Sequence, residues 1–330
     1  MIITNLKTLW SRRFGITAIG LILMASLLTG CGEKGAQAVP VPEVSDVSEE
    51  NDTTGRSETP KQEETQADLA AQSVKDETAG DYEFSFVDVF GVSYDTVIDA
   101  SVPMHDYDPA GFCREGEKLF YKGDPKYKSR LGIDVSYHQG KINWEKVAAD
   151  GYEFVFIRVA YRGYGQAGTL KEDKLFAEYY QGARDAGLDV GVYIFSQAIN
   201  EKEALEEADF VIGCLGDRTL QLPVVYDPES ILDDVARTDS VTGEQFTANT
   251  MTFCKRIEEA GFKPMVYSNM LWEAFQFEMA KTSIYPYWYA DYEAQPQTPY
   301  GFEFWQYSNT GRVSGIGTQT DLDIQLIPIQ

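Results

Sequence analysis

Residues 285–325 read YPYWYADYEAQPQTPYGFEFWQYSNTGRVSGIGTQTDLDIQ, and they contain three strand patterns with no room for a helix between them. The strand patterns are YPYWYADY (285–292), FEFWQYS (302–308) and TDLDIQ (320–325). Before this stretch, from residue 131 to residue 280, the chain alternates between strand and helix patterns five times. Five βα units followed by three more strands predict a (β/α)5(β)3 barrel. This is an α/β, TIM-like fold of parallel strands that loses its helices near the end of the chain.

The five βα units are apolar runs that alternate with amphipathic stretches, several of which stop at a glycine. The strand patterns lie at 131–136, 154–161, 189–196, 222–227 and 263–268. The helix patterns lie at 143–151, 171–187, 201–216, 243–261 and 270–280.

Carboxyl side chains occur at one end of three of these predicted strands. The first strand ends in Asp134, the fourth runs into Asp227 and Glu229, and the last carries Asp321 and Asp323. Because the chemistry of such barrels takes place at the carboxyl ends of the strands, we expect these acids to meet at one rim.

Asp227 and Glu229 are separated by one residue, so in a strand both side chains face the same side. Two adjacent carboxyl groups repel each other when both are ionised, which favours keeping one of them protonated near neutral pH. A protonated acid beside an ionised one is what glycosidic cleavage requires. Taken alone, an acid after a strand is as well explained as the cap of the next helix. The whole constellation favours an active site.

Aromatic residues dominate the remainder of the predicted rim. Their faces stack on the apolar faces of sugars, which favours a carbohydrate ligand. The rim residues are Tyr193, Phe195, Tyr267, Trp288, Tyr289, Trp305, Gln306 and Tyr307.

The N-terminal 130 residues have a different composition. Residues 1–30 resemble a lipoprotein signal peptide, with an apolar region at 14–29 and the sequence LLTGC ending at Cys31, the predicted lipidation site. Residues 31–80 form an acidic linker that is expected to be disordered. Residues 81–130 are predicted to be a short extension that packs on the barrel of residues 131–330. We therefore expect a lipid-anchored protein at the cell membrane, facing the exterior and the cell wall.

The composition limits the possible partners. A formal net charge of −24 repels nucleic acid, which is excluded as a partner. With two histidines, His105 and His138, a histidine-rich metal site is nearly excluded, and no cofactor is expected. Cys113, Cys214 and Cys254 match no metal or disulfide framework. They are expected to be buried thiols, or to include one disulfide-bonded pair. The folded protein is expected to be a monomer.

Several motifs resemble the glycoside hydrolase family 25 lysozymes, the Chalaropsis-type muramidases. The motifs occur in the family's order and cover roughly residues 130–330. They are GIDVSYHQGKINWEKV (132–147), FVFIRVAYRGYG (154–165), GLDVGVYIFSQA (187–198), LPVVYDPE (222–229), YWYADY (287–292) and FWQYSNTGRVSGIGTQTDLD (304–323).

The resemblance implies an N-acetylmuramidase that cleaves the β-1,4 bond from N-acetylmuramic acid to N-acetylglucosamine in peptidoglycan. It implies that Glu229 is the general acid/base and that Asp227 orients the 2-acetamido group of the substrate. Asp134 and Asp321 would bind substrate or tune the charge of this pair. Substrate-binding roles follow for Tyr193, Phe195, Tyr267, Trp288, Gln306, Tyr307, Asp323 and His138, of which His138 is equally well explained as a loop residue.

Pro228 departs from the family pattern, in which an apolar or aromatic residue usually lies between the two acids. Proline removes one ladder hydrogen bond, so it is expected to tilt Glu229 and to lower activity. Two alternatives to an active muramidase follow. One is a weakly active or inactive peptidoglycan-binding module, and the other is a hydrolase that uses the same carboxylates to bind a divalent metal.

Overall fold

The computed structural model describes residues 80–232 and 234–329, which fall within one compact unit spanning residues 65–330. The predicted signal peptide, Cys31 and residues 31–79 of the predicted linker lie outside the described residues. In the described part of the chain, no helix is both long and apolar enough to cross a membrane.

The described chain begins with two hairpins that belong to the N-terminal extension. Strand β1 (Tyr82–Val87) pairs with β2 (Ser93–Ile98), and β3 (Phe112–Glu115) pairs with β4 (Lys118–Tyr121), both in antiparallel fashion. The next strand, β5 (Tyr127–Val135), is the first strand of the barrel. The barrel therefore begins a few residues before the boundary at 130/131 that the sequence predicts.

Eight strands form the closed barrel, in agreement with the predicted strand count. After β5 the barrel strands are β6 (Phe154–Arg162), β8 (Asp189–Ser196), β9 (Val224–Pro228), β10 (Pro264–Asn269), β11 (Tyr287–Ala290), β12 (Phe304–Gly311) and β13 (Thr320–Pro328). A short edge strand, β7 (Leu170–Glu172), pairs with the end of β6 outside the barrel. Pairing of β5 with both β6 and β13 closes the barrel.

Seven barrel strands are parallel, but β13 is antiparallel to both of its neighbours, β12 and β5. The expectation of a wholly parallel barrel is therefore wrong for the last strand. Residues 312–319 connect β12 to β13, and this is too short for the crossover that a parallel pair needs. The antiparallel direction of β13 favours the predicted site, because Asp321 lies at the start of β13 and pairs directly with Asp134 near the end of β5.

The helices lie between the first strands, as the sequence predicts, with some different boundaries. They are α1 (Trp144–Ala149), α2 (Phe176–Asp185), α3 (Glu201–Leu215), α4 (Gly243–Glu259), α5 (Met270–Phe275) and α6 (Met279–Thr282). Side-chain oxygens of Asn143, Asn200, Thr242 and Asn269 cap α1, α3, α4 and α5. The helix predicted at 171–187 begins only at Phe176, because 170–172 pair as β7, and the helix predicted at 270–280 is divided into α5 and α6.

The extension covers the outer face of the last strands, where the barrel has no helices. The ring of Phe112 packs edge-on against Trp305 with centroids 5.1 Å apart. Tyr107 donates a hydrogen bond to the carbonyl oxygen of Phe302 (2.6 Å), and the amide of Leu119 donates to the hydroxyl of Tyr307 (3.4 Å). The second hairpin and the loop before it thus shield apolar strand surface that helices shield elsewhere in the barrel, whereas Phe86 and Tyr94 of the first hairpin pack against Phe275 of α5.

Three cysteines fall in the described residues, and all three are free thiols. Cys254 is buried, whereas Cys113 and Cys214 are partly exposed.

Candidate active site

A pocket of about 270 Å³ opens at the barrel end where the parallel strands terminate. It is lined by carboxyl groups, one arginine and aromatic side chains. The lining residues are Asp134, Arg158, Tyr193, Phe195, Asp227, Glu229, Tyr267, Trp288, Tyr292, Gln306 and Asp321. All four acids that the sequence assigns to catalysis therefore face one cavity.

Asp227 and Glu229 project into the pocket from the end of β9, as the alternation of side chains in a strand predicts. Pro228, between them, is not among the lining residues, and it pairs in register with Ser196 of β8. Burial raises the pKa of Asp227 well above its ordinary value, and the nearby Glu229 raises it further. The Oδ1 atom of Asp227 is buried and has no hydrogen-bond partner among the described residues.

Glu229 is the acid whose properties best suit proton transfer at neutral pH. Burial, and then the charge of Asp321, raise its pKa to about 7, while the charge of Arg158 opposes this rise. A carboxylic acid with this pKa can hold a proton and release it under the same conditions. The prediction that one of the two acids stays protonated near neutrality therefore has a physical basis in the burial of both.

Asp134 and Asp321 form a second pair on the neighbouring strands β5 and β13. Burial, followed by the charges of Asp321 and Asp323, raises the pKa of Asp134 well above its ordinary value. Burial raises the pKa of Asp321 to about 6, and a hydrogen bond with Asp134 counteracts this rise. Of the two, Asp134 has the more strongly raised pKa and therefore favours holding a proton, which leaves Asp321 as the member that favours ionisation. Gln306 fixes Asp134 by donating from Nε2 to its Oδ2 atom (2.8 Å).

Tyr193, Phe195, Tyr267 and Trp288 line the pocket as the sequence predicts, and Gln306 links two tyrosines at its wall. The Oε1 atom of Gln306 accepts hydrogen bonds from the hydroxyls of Tyr267 (3.1 Å) and Tyr292 (2.9 Å). Tyr292 is an additional lining residue that the strand pattern does not identify, because it lies beyond the end of β11.

Three other predicted substrate-binding residues lie elsewhere. Tyr307 is one position from Gln306 in β12, so its side chain faces outward, beneath the extension. Asp323 is fully buried and accepts a hydrogen bond from the indole Nε1 of Trp288 (2.8 Å), so it supports the pocket without lining it. His138 lies in the 3₁₀ turn Tyr137–Gln139 after β5, with its ring against Tyr137, and is not a lining residue.

Tyr289 and Trp305, also assigned to the rim from the sequence, face outward like Tyr307. The hydroxyl of Tyr289 donates to Asp291 (2.8 Å), and the indole of Trp305 donates to the carbonyl oxygen of Asp291 (2.8 Å). The error has one physical cause, since in a run of consecutive aromatic residues only every second one faces the barrel interior.

Arg158 is the cationic residue of the pocket, and the sequence analysis does not identify it. It interrupts the apolar strand FVFIRVAY, and a single charge in such a run is the signal that would identify it. Its Nε atom donates to the Oδ2 atom of Asp173 (3.0 Å), the residue that follows β7. Asp173 is buried and is held in turn by the amides of Tyr137 (3.1 Å) and Leu175 (3.0 Å).

Gln197 holds the main chain at Glu229. This buried residue, which follows β8, donates from Nε2 to the carbonyl oxygen of Glu229 (2.7 Å). Its Oε1 accepts a hydrogen bond from the hydroxyl of Thr238 (2.9 Å), and its carbonyl oxygen accepts one from Arg237 (3.0 Å). Arg237 also binds both carboxylate oxygens of Glu203 on α3 (2.6 and 2.7 Å). Gln197 thereby contacts the loop after β9 at its start, Glu229, and again at Arg237 and Thr238.

Metal ligands are not grouped in the described residues. There, no set of three or more histidine, cysteine, aspartate or glutamate side chains is arranged to hold a metal ion. The four acids of the pocket are better described as two hydrogen-bonded or electrostatically coupled pairs.

Comparison with known proteins adds a family and a fold. The model of the family described as "Glycosyl hydrolases family 25" matches residues 133–316, which is more than half of the chain. The autolytic lysozyme of Clostridium acetobutylicum is 25% identical over 195 residues, and Lysozyme M1 of Streptomyces globisporus is 30% identical over 207 residues. Each alignment covers 58% of this chain, but only 54% and 65% of the respective relatives.

Solved structures share the fold. The modular autolysin LytC of Streptococcus pneumoniae matches with a TM-score of 0.54 and 22% identity, over 74% of this chain and 56% of that chain. A family 25 glycosyl hydrolase from Bacillus anthracis matches with a TM-score of 0.50 and 23% identity, over 62% of this chain and 92% of that chain. These likenesses agree with the eight-stranded α/β barrel described above.

Proposed function

The chain belongs to glycosyl hydrolase family 25, and from that premise we propose that it is a lysozyme, an N-acetylmuramidase acting on peptidoglycan. The bond cleaved is the β-1,4 bond between N-acetylmuramic acid and N-acetylglucosamine, and the role is cell-wall remodelling. The observation that carries the proposal is the position of Glu229. Its carboxyl group, with a pKa of about 7, lies beside Asp227 in a pocket lined by aromatic residues.

Protonated Glu229 is placed to act as the general acid. It transfers its proton to the glycosidic oxygen as the bond from the anomeric carbon breaks and that carbon gains positive charge. The resulting carboxylate then takes a proton from the water that attacks the same carbon, which returns Glu229 to its starting state. One water is consumed, and one new reducing end forms on the muramic acid residue.

Asp227 is placed to orient the substrate. Its buried Oδ1 atom lacks a hydrogen-bond donor among the described residues, and the N–H of a 2-acetamido group would supply one. The Asp134–Asp321 pair contributes one negative charge to the pocket wall once the proton resides on Asp134, and this charge favours a cationic transition state. Tyr193 and Phe195 provide flat apolar surface for the sugar rings, and the almost fully buried Trp288 supports them from the pocket floor.

The decisive experiment compares the protein with its Glu229→Gln variant on purified peptidoglycan. The fragments are reduced with borohydride, and the reduced sugars are identified by mass spectrometry. We expect new muramitol ends from the unmodified protein and none from the variant. New glucosaminitol ends would show that a different bond is cleaved. Absence of any new ends, with the protein still sedimenting with the wall, would favour the binding module instead.

We further propose that the protein acts as a lipid-anchored monomer on the outer face of the cell membrane. The support is in the sequence, where a short apolar segment is followed by LLTGC and by an acidic linker that precedes the barrel. In this arrangement the linker would allow the barrel to reach the wall from the membrane. Incorporation of labelled palmitate that is lost in a Cys31→Ala variant would support the anchor, and label retained in that variant would contradict it.

A further inference from the structure

Arg158 is held rigidly at the pocket wall. Its side chain is 12% exposed, its Nε atom binds Asp173, and its guanidinium carbon lies 5.1 Å from the ring centroids of both Tyr137 and Tyr161. A guanidinium fixed by a carboxylate and by two aromatic rings has little freedom to turn toward another protein group. Its remaining N–H groups are therefore preorganised for whatever enters the pocket.

The Nη2 atom of Arg158 is buried and makes no hydrogen bond within the described part of the chain, although it forms an ion pair with Asp173 at 3.0 Å. The exposed part of the Arg158 side chain faces the pocket that this residue lines, so the guanidinium is available there to an acceptor. The Oδ1 atom of Asp227, in the same pocket, is a buried acceptor without a donor. Together the guanidinium of Arg158 and this oxygen of Asp227 are suited to a ligand that offers one N–H group and one separate oxygen acceptor.

The substrate of the proposed function has such groups on neighbouring carbons. The sugar whose bond is cleaved carries an acetamido group on carbon 2, which offers the N–H for Asp227. On carbon 3, muramic acid carries a lactyl ether, whereas N-acetylglucosamine carries only a hydroxyl. The lactyl group ends in a carboxylate, or in an amide carbonyl where a peptide is attached, and guanidinium groups bind both.

The charge balance of the pocket supports the same assignment. Asp321, the lining acid with a pKa of about 6, is ionised at neutral pH, and a lactyl carboxylate in the same pocket would be repelled by it without a cation. Arg158 is the one cation among the described lining residues. Its charge also opposes the burial-driven rise in the pKa of both Asp227 and Glu229, so it lies close to the reacting end of the sugar.

We propose that Arg158 is the specificity-determining residue that selects muramic acid at this position, by donating from its guanidinium group to an oxygen of the 3-O-lactyl group. The proposal rests on the function proposed above and extends it to the choice of sugar. Asp173 serves as its positioning residue, because it fixes the guanidinium through Nε.

The test measures binding in a Glu229→Gln background of the full chain, so that no ligand is consumed. Calorimetry gives the Kd for peptide-free oligosaccharides of alternating N-acetylglucosamine and N-acetylmuramic acid, and for chitooligosaccharides of equal length. We expect the muramyl ligand to bind more tightly, and Arg158→Gln to reduce that preference about tenfold or more. Binding of the chitooligosaccharide should stay within about twofold. Amidation of the lactyl carboxyl shows how much of the preference needs a charge.

Arg158→Lys separates recognition from folding, since it keeps a cation near Asp173 but lacks the planar set of guanidinium donors. A lysine variant with an unchanged thermal midpoint and a lowered muramyl preference supports the proposal. Equal weakening of both ligands, or no change in the preference, overturns it. The result is independent of the proposed function, because the parent protein on peptidoglycan shows separately whether Glu229-dependent muramitol ends form.

Discussion

Pro228 lies between the two acids of β9 and lacks the N–H that other residues offer to a strand ladder. The position of Glu229 therefore depends on contacts from outside the strand. The principal contact is the hydrogen bond from Gln197 to the carbonyl oxygen of Glu229, and Gln197 is itself fastened to Thr238 and Arg237. We infer that these side chains provide the orientation that a strand hydrogen bond would otherwise help to provide.

This role leads to a prediction for Gln197→Met, which keeps the volume of the side chain but removes its donor and acceptor. We expect kcat on peptidoglycan to fall about tenfold or more with KM changed less than about threefold, because small displacements of a general acid cost turnover more than binding. The basic limb of the pH profile should also shift, since the burial of Glu229 that raises its pKa would change.

The control for this prediction is Gln181→Met, which alters an exposed glutamine on α2 that binds Asp185 on the same helix. Kinetics must be measured well below the thermal midpoint, because loss of the Gln197 contacts is expected to cost about 1–3 kcal/mol of stability. Unchanged kcat in folded Gln197→Met would refute a positioning role.

At the residue scale the sequence predicts those site residues that obey a simple period. Asp134, Asp227, Glu229 and Asp321 follow from strand ends and alternation, and all four line the pocket. Tyr292 and Gln197 lie just past strand ends, in loops whose direction no periodicity determines. The strand that contains Tyr307 has consecutive aromatic residues, and only the observed register shows which of them face inward.

In the barrel interior, large aromatic side chains on some strands occupy the space left by a glycine on another strand. Phe154, Phe156 and Phe304 fill the space below the pocket, and Phe156 stacks on Trp288 with ring centroids 4.7 Å apart. Gly191 on β8 leaves room for this stack, because a Cβ atom there would lie 2.5 Å from Phe156 and 2.8 Å from Leu222. The floor of the pocket therefore depends on the absence of a side chain on the adjacent strand.

We predict that Gly191→Ala destabilises the domain by about 1–3 kcal/mol, the usual cost of forcing extra volume into a packed interior. Displacement of Phe156 should also disturb Trp288 and lower kcat/KM.

Gly213→Ala is the matched control, since Gly213 lies inside α3 with nothing within 4 Å of the position that a Cβ atom would take. That change should leave activity intact and stabilise by up to about 1 kcal/mol. Chemical denaturation of both variants measures the difference, and equal stabilities would contradict the packing argument.

At the element scale, strand and helix patterns predict the barrel because five long periodic units precede three strands. They do not predict strand direction or pairing where a short connection determines it. Residues 312–319 turn the chain back, so β13 runs antiparallel, which no periodicity in TDLDIQ reveals. Likewise Leu170–Glu172 contains residues suited to a helix, but pairing with the end of β6 draws it into the sheet.

At the scale of the whole molecule, the chain is strongly acidic, with a formal net charge of −24, and it also buries several carboxyl groups outside any ion pair. Glu273 on α5 is an example remote from the pocket. It accepts hydrogen bonds from Ser268 (2.7 Å) and Thr298, and burial raises its pKa to about 7. Each such group favours the protonated form in the folded protein, and lowering the net charge reduces repulsion across the surface.

The sign of the pH dependence follows from these raised pKa values. A carboxyl group with a pKa of 4.5 when unfolded and about 7 when folded gives its full contribution to stability below pH 4.5. That contribution is lost as the pH rises through about 7, where the folded protein must either keep the proton or bury a charge. Glu229, whose pKa is also about 7, acts in the same direction. We therefore expect the thermal midpoint to be higher at pH 5.5 than at pH 8.

Glu273→Gln tests this expectation at a site that does not line the pocket. A glutamine can accept from one hydroxyl and donate to the other, and it carries no charge to bury. A rise in pKa of this size corresponds to about 3 kcal/mol at pH 8, although relaxation of the site reduces the effect. We expect the variant to melt roughly 5 °C higher at pH 8, since 1 kcal/mol corresponds to about 2–4 °C in a domain of this size. At pH 5 the thermal midpoints of the two proteins should agree closely.

The exposed Glu145→Gln change on α1 serves as the control, because it removes a carboxyl group that is not buried. If both variants showed the same pH dependence as the parent protein, the burial of Glu273 could not be the source of the alkaline loss of stability.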